Sequence, residues 1–175
     1  TPFVYQGEEI GMRDVIVPPD QYRDPQGINI GISRDHNRTP MQWDASVNAG
    51  FSDNPPWLPI SDDYETLNVA AQQDNAHSML ALYRRLIDLR RASPALLTGS
   101  YRSYDAPIGC YVYERTAGDQ RFVIALNLTS VPQAINLPPL TGRVVLSTHL
   151  DRNERAGHTV LDLRPDEGVI IQLGE

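Results

Sequence analysis

The spacing of apolar residues changes once along this chain, and that change limits what it can fold into. Over residues 75–92 the apolar positions Met79, Leu80, Leu82, Tyr83, Leu86, Ile87 and Leu89 recur at helical intervals, which predicts one long amphipathic helix. Asp74 is placed to accept from the open amides of its first turn. Arg84, Arg85, Arg90 and Arg91 load the C-terminal half, where the helix dipole favours cations, and Pro94 follows as a stop. Beyond Gly99 the period becomes two. Residues 100–104, 108–115, 121–128, 131–137, 143–148 and 168–173 read as strands, with turn residues between most of them. Phe122, Ile124, Leu126 and Leu128 alternate and are expected to share one face. Short strands closely spaced by turns predict a small antiparallel β-sandwich. No cluster of exposed aromatic residues is legible in it.

Ahead of the helix the chain reads differently. Thr1-Pro2-Phe3-Val4-Tyr5 is short, apolar and β-prone, and Gln6-Gly7-Glu8-Glu9 ends it. That pattern suits a buried parallel strand with polar residues beyond its C-terminal end, where α/β folds build sites. From 13 to 73 no periodicity persists, and Pro18-Pro19, Pro25, Gly27, Pro55-Pro56 and Pro59 punctuate the segment. One or two helical turns are expected near 20–24 and 67–71. A stretch this irregular is costly to order and usually exists for a functional reason. Its centre, residues 34–44, sets Arg34, Asp35, Arg38, Trp43 and Asp44 around Pro40. Guanidinium groups donate in fixed geometry, carboxylates accept from hydroxyls, and an indole packs on the C–H side of a sugar ring, so the set suits a polyhydroxylated ligand. The competing reading is a surface loop whose arginines and aspartates pair with each other. The chain thus divides near residue 98, an incomplete α/β piece over 1–98 preceding a β domain over 99–175.

Composition excludes several function classes. A net charge of −7 and a pI near 5.0 argue against an electrostatic grip on nucleic acid or an anionic membrane. No run approaches the roughly 18 apolar residues of a membrane span. One cysteine, Cys110, precludes an internal disulfide and fits a reducing compartment, so a cytoplasmic location is expected; placed in a strand, it reads as a buried inert thiol. His36, His77, His149 and His158 lack the spacing of a metal site, and no phosphate cradle is present, so neither metal nor cofactor is expected in this segment. Glu8 and Glu9 are adjacent, whereas the two carboxylates of a glycosidase flank a bond from opposite sides at roughly 5–9 Å. One is expected at a site mouth and the other in a structural role. Thr1 is not a methionine and already reads as part of a strand, so the chain is expected to be a piece of something longer.

Two motifs identify a resemblance. The run from Thr1 to Met12 (Thr-Pro-Phe-Val-Tyr-Gln-Gly-Glu-Glu-Ile-Gly-Met) resembles the eighth barrel strand of α-amylase-family α-glucosidases (glycoside hydrolase family 13). Arg34-Asp35 with Arg38-Thr39-Pro40-Met41-Gln42-Trp43-Asp44 is similar to the loop that follows it in oligo-1,6-glucosidases, maltases and sucrose isomerases. The resemblance implies the last β/α unit and long loop of a (β/α)8 TIM barrel, then a C-terminal antiparallel β-sandwich. It implies a retaining α-glucosidase in which one Asp attacks the anomeric carbon, one Glu acts as acid then base, and a second Asp stabilises the transition state. Those groups follow barrel strands four, five and seven, so no catalytic residue is expected here. The segment would supply the pocket rim for a small α-glucoside or oligosaccharide: Arg38 first, then Gln6 and Glu8, with Arg34 and Asp35. Trp43 is expected mainly to brace the loop. Its partner would be the remainder of the barrel. The alternatives are a glucosyl-transferring or isomerising relative of the sucrose isomerase type, and a non-catalytic carbohydrate-binding or structural β module.

Overall fold

A computed structural model describes residues 2–156 and 159–174; Thr1 and His158 lie outside the described residues. The chain forms two compact units, Thr1–Tyr83 and Arg84–Glu175. The boundary falls inside the long helix, fifteen residues before the division expected from composition, because the second half of that helix packs with the β-rich part.

In the first unit the expected strand over 1–5 does not form. Residues 2–5 are irregular and exposed, with Phe3 95% accessible. Backbone amides in a strand need a partner strand, and no other strand exists among the described residues of this unit. The order comes instead from short helices: a 3-10 turn at Glu8–Ile10, α1 (Pro25–Ile30), α2 (Val69–Gln73) and the start of α3 (Met79–Ala92). Asp24 caps α1, Pro25 opens it, and Gly31 closes it with φ of 76°. This is the usual proline-first, glycine-last grammar, here compressed into six residues. Asn68 caps α2 through Ala71 N–H. The long helix begins later than expected: Asp74 closes α2, and the Ser78 hydroxyl accepts from Ala81 N–H in the first turn of α3. Ile10, Met41 and Leu80 form the unit's core, flanked by Met12 and Val69. Gln72 stitches its parts together, donating to Ile10 O at 2.7 Å and accepting from Leu80 N–H at 3.1 Å.

The second unit is an antiparallel six-stranded sheet in the order β1-β2-β3-β8-β5-β6, with a two-stranded sheet β4-β7. The strands are β1 Ser100–Tyr104, β2 Cys110–Ala117, β3 Gln120–Asn127, β4 Gln133–Asn136, β5 Gly142–Ser147, β6 Arg155–Ala156, β7 Val160–Leu163 and β8 Gly168–Leu173. Strands β6 and β7 are additional to those expected; Leu161 and Leu163 alternate with exposed residues, but over only four positions. Both sheets feed one core, where Val112, Val123, Ala125, Val144, Val169 and Ile171 meet Ile135, Leu161 and Leu163. The opposite face of β3 carries Phe122, Ile124 and Leu126, packed with Leu89 and with Ala95 and Leu96 of α4 (Pro94–Thr98). Leu128 lies past the strand end and is exposed. Pro94 therefore does not end helical structure; it opens a second short helix. Because β3 is central, both its faces are buried, and its alternation separates two cores rather than core from solvent.

Two buried carboxylates are fully engaged in this unit. Glu114 accepts from Tyr104 Oη at 2.5 Å, Arg121 Nε at 2.7 Å and Thr116 Oγ1 at 3.2 Å. Glu167 is paired with Arg164 and Arg152. The expectation of no aromatic cluster is corrected: Tyr113 lies 5.5 Å from Tyr101 and 5.4 Å from Tyr111 between ring centroids, and Tyr101 and Tyr111 are about half exposed. Tyr111 and Tyr113 are two residues apart on β2 and so share a face, while Tyr101 reaches Tyr113 diagonally across the β1–β2 register. Cys110 opens β2; burial pushes its thiol pKa up, as an unreactive thiol requires. Among the described residues no helix is long and apolar enough to cross a membrane.

Phe122 is 1% exposed. Phe122→Ala is expected to lower unfolding free energy by about 3–5 kcal/mol, read as a fall in denaturant midpoint at unchanged slope.

Candidate functional site

The segment after residue 5 turns tightly. Gly7 has φ of 95°, and a Cβ there would lie 2.7 Å from Met12 Sδ, so only glycine fits. The Glu8 carboxylate accepts from Tyr5 N–H at 3.1 Å, and Glu9 from Gly7 N–H at 2.8 Å. Both glutamates thus give one oxygen to an amide of the turn that carries them. Ile10 is anchored in the core beneath.

Beside this turn is a cavity of about 300 Å³, lined by Tyr5, Gln6, Gly7, Glu8, Met12, Arg13 and Asp14 on one side and Asn37 and Thr39 on the other. Gln6 and Glu8, both named from sequence, line it directly; Glu9 does not. The two walls are tied by Val15 N–H to His36 O at 2.9 Å and Val17 N–H to His36 Nδ1 at 3.2 Å. Arg38 sits between the lining residues Asn37 and Thr39. Its side chain is exposed and makes no hydrogen bond or ion pair among the described residues.

Arg34 and Asp35 are held differently. Arg34 makes a two-pronged pair with buried Asp24: Nε to Oδ2 at 2.8 Å and Nη2 to Oδ1 at 2.5 Å, with its own backbone N–H on Oδ2 at 2.9 Å. The hydrogen bonds from Arg34 hold the Asp24 carboxyl well below the usual carboxylate range, and Asp24 in turn raises the Arg34 pKa. The guanidinium remains half exposed and is not among the residues that line the cavity. Asp35 points inward and is buried. Burial pushes its pKa up, but the N–H groups of Asp24 and Arg23, at 2.9 and 2.7 Å, more than offset this. The sequence reading overlooked Asp24, although an Asp before a Pro at a helix start is a recognisable cap. It also overlooked Arg13, Asp14, Asn37 and Thr39, which carry no pattern of their own and enter the cavity wall only through the fold.

The rest of the loop is a brace. Gln42 is buried; it donates to Asp63 Oδ1 at 3.1 Å and Leu67 O at 2.6 Å. Asp44 accepts from Ser46 N–H and Oγ, which lower its pKa, and its oxygens would lie 2.7 Å from any Cβ on Gly50. Trp43 bonds through its backbone to Ala49 and Ala70. Its ring stays half exposed, so the bracing comes from the main chain and not from ring packing.

The sequence pattern of the alpha-amylase catalytic domain matches residues 1–99. The chain belongs to the alpha-amylase family. It is 31% identical to an oligo-1,6-glucosidase of Parageobacillus thermoglucosidasius, over 99% of this chain and 35% of that protein. It is 34% identical to a glucan 1,6-alpha-glucosidase of Streptococcus pneumoniae, over 78% of this chain and 29% of that one. The fold superposes on the trehalulose synthase MutB from Pseudomonas mesoacidophila MX-45 with a TM-score of 0.87 at 29% identity, over 99% of this chain and 36% of MutB. The chain therefore spans about a third of the length of these alpha-amylase family relatives.

Asp24 has a lowered pKa in the folded state, so its contribution is present above the ordinary aspartate value of 3.8 and lost as pH falls through the folded pKa. The melting-temperature advantage of wild type over Asp24→Asn is expected to be constant from about pH 5 to 8 and to narrow below about pH 4.

Proposed function

We propose that this chain is the C-terminal part of a retaining α-glucosidase that releases terminal α-linked glucose from short oligosaccharides. In this reading residues 1–98 are the last β/α unit and loop of a (β/α)8 barrel, and 99–175 are a closing β-sandwich. The observation that carries it is the cavity lined by Gln6, Glu8 and Arg13, with exposed Arg38 lying in sequence between two of its wall residues. Amide, carboxylate and guanidinium groups around a small polar cavity are the donors and acceptors that sugar hydroxyls require. The partner proposed is the other barrel units, against which exposed apolar side chains such as Phe3, Ile16 and Trp57 would be buried.

The roles follow from this placement. Arg38 contacts substrate hydroxyls, Gln6 and Glu8 orient the sugar beside the Gly7 turn, and Asp35, buried and facing inward, holds the loop that carries Arg34 and Arg38. The nucleophile, the acid–base carboxyl and the second aspartate come from the other barrel units, because Glu8 and Glu9 are committed to capping their own turn. A second reading is a glucosyl-transferring enzyme, favoured by the likeness to MutB. Sucrose separates the two: hydrolysis yields glucose and fructose, transfer an isomeric disaccharide.

In the full-length enzyme, Arg38→Ala is expected to lower kcat/KM for disaccharides by about one to three orders of magnitude, as loss of a charged contact implies; unchanged kinetics would remove Arg38 from the site. A pure preparation of the 175-residue chain is expected to give no turnover of a chromogenic α-glucoside, and turnover by it would show that the catalytic carboxylates lie within these residues.

A further inference from the structure

One side chain joins the two walls of the cavity beside Gly7. The stretch 13–17 forms neither helix nor strand, so no regular ladder of its own fixes where Asp14 stands. His36 supplies the missing partner. Val15 N–H donates to His36 O at 2.9 Å. The His36 ring meets the same stretch, with Nδ1 2.8 Å from Val15 O and 3.2 Å from Val17 N. A neutral imidazole nitrogen serves one of these at a time, donating to Val15 O as N–H or accepting from Val17 N–H through its lone pair. Either tautomer therefore bonds the ring to this stretch. Tyr22 packs edge-on against the ring, 5.8 Å between centroids at 84°, with its Oη 3.5 Å from Nε2. Val17, 1% exposed, anchors the far end of the stretch. The immediate neighbours of this clamp, Asp14 before Val15 and Asn37 after His36, both line the cavity, one on each wall. Neither side chain makes a hydrogen bond or ion pair among the described residues. The clamp thus holds two unengaged polar groups facing one space, and their spacing is set in folding rather than on binding.

We propose that Asp14 and Asn37 are a specificity-determining pair that grips one sugar from opposite walls, and that His36 is the positioning residue that sets the gap between them. This rests on the α-glucosidase reading above and adds to it two contact residues and a third that acts through them. A sugar hydroxyl is both donor and acceptor. The Asp14 carboxylate accepts from one hydroxyl, and the Asn37 amide donates to another or accepts from it. His36 touches no substrate; it ties the main chain beside each contact residue to the other wall.

The test uses the full-length enzyme and measures KM, kcat and melting temperature with an α-glucosyl disaccharide. Asp14→Ala and Asn37→Ala, both at exposed positions, are each expected to raise KM about fivefold to tenfold while kcat changes less than about twofold, the signature of binding lost equally from ground and transition states. His36→Ala should raise KM to a similar degree. His36→Asn should stay within about twofold of wild type, because its amide stands as many bonds from the main chain as Nδ1 and offers both a donor for Val15 O and an acceptor for Val17 N–H. His36→Gln, whose amide lies one methylene farther out, should raise KM as His36→Ala does, and it decides the matter where His36→Ala does not fold. Adding His36→Ala or His36→Gln to the Asp14→Ala/Asn37→Ala double variant should raise KM no further, since nothing is left to position. An unmoved KM in Asp14→Ala and Asn37→Ala would overturn the contact pair. A lowered melting temperature with unmoved KM in the His36 variants would make the clamp a structural staple and overturn its positioning role. A further rise in KM in the triple variant would overturn that role too, since His36 would then act independently of the pair. Wild-type enzyme that turns over no α-glucoside would overturn the functional reading itself, an outcome distinct from an active enzyme whose variants keep their KM.

Discussion

A buried carboxylate with every lone pair taken is what the irregular half of this protein depends on. Asp24 sits among backbone that forms no sheet and only one-turn or two-turn helices, so its neighbouring amides have few regular partners. An ionised group in such a place is strongly unfavourable unless paired and hydrogen-bonded. Here Arg34 and two backbone amides meet that demand. Asp35 repeats the arrangement one step away. Together they replace the ladder that a strand or long helix would supply, converting polar side chains into main-chain partners. Gln42, Asn68 and Gln72 extend the same device to the later part of the unit, each bonding to backbone, Gln42 to the Asp63 side chain as well.

The β-rich unit is held by the opposite means. Its register is written in backbone pairs, with eight Cα partners between β2 and β3 and six between β3 and β8. Its side chains are mostly free to be apolar. Its buried charges are neutralised, as at Glu114 with Arg121 or Glu167 with Arg164, and buried Asn127 bonds to backbone carbonyls. A central strand with two buried faces explains why Phe122 and Val123, adjacent in sequence, belong to different cores.

These two modes of construction account for what could be read from the sequence. The helix over 79–92 and most of the β-strands were legible because periodicity reports directly on which face is buried. The strand expected over 1–5 did not form, because a strand is a property of two chains' segments and its partner is not among the described residues. Asp74 was a plausible cap by type, but the chain makes another turn first and Ser78 takes that place. The site was legible in part. Gln6 and Glu8 reach the cavity, and Arg38 lies between two residues that do. The distinction between an outward Arg34 and an inward Asp35 was invisible, because both are polar neighbours in one motif and only the position of Asp24, ten residues earlier, decides between them. Tyr111 and Tyr113 alternate within β2, but Tyr101 joins them only through the β1–β2 register, which the sequence does not display.

Under the proposed reading, the arrangement also accounts for how a segment so rich in acids would contribute to binding and leave catalysis to other units. General acid–base chemistry needs a carboxyl whose proton affinity is poised and whose oxygen is free to reach the reacting bond. Glu8 and Glu9 each give an oxygen to an amide of their own turn, Asp24 and Asp35 are held on the ionised side by several donors, and Asp44 is locked by Ser46. These five carboxylates are thus engaged in shaping the loop, while Asp14 lines the cavity itself. What the loop then offers outward is cationic and amide donors in fixed positions. Donors of that kind hold a neutral polyol in one orientation, and under the proposed reading they leave bond cleavage to carboxylates on other barrel strands, where two of them can face each other across the glycosidic oxygen.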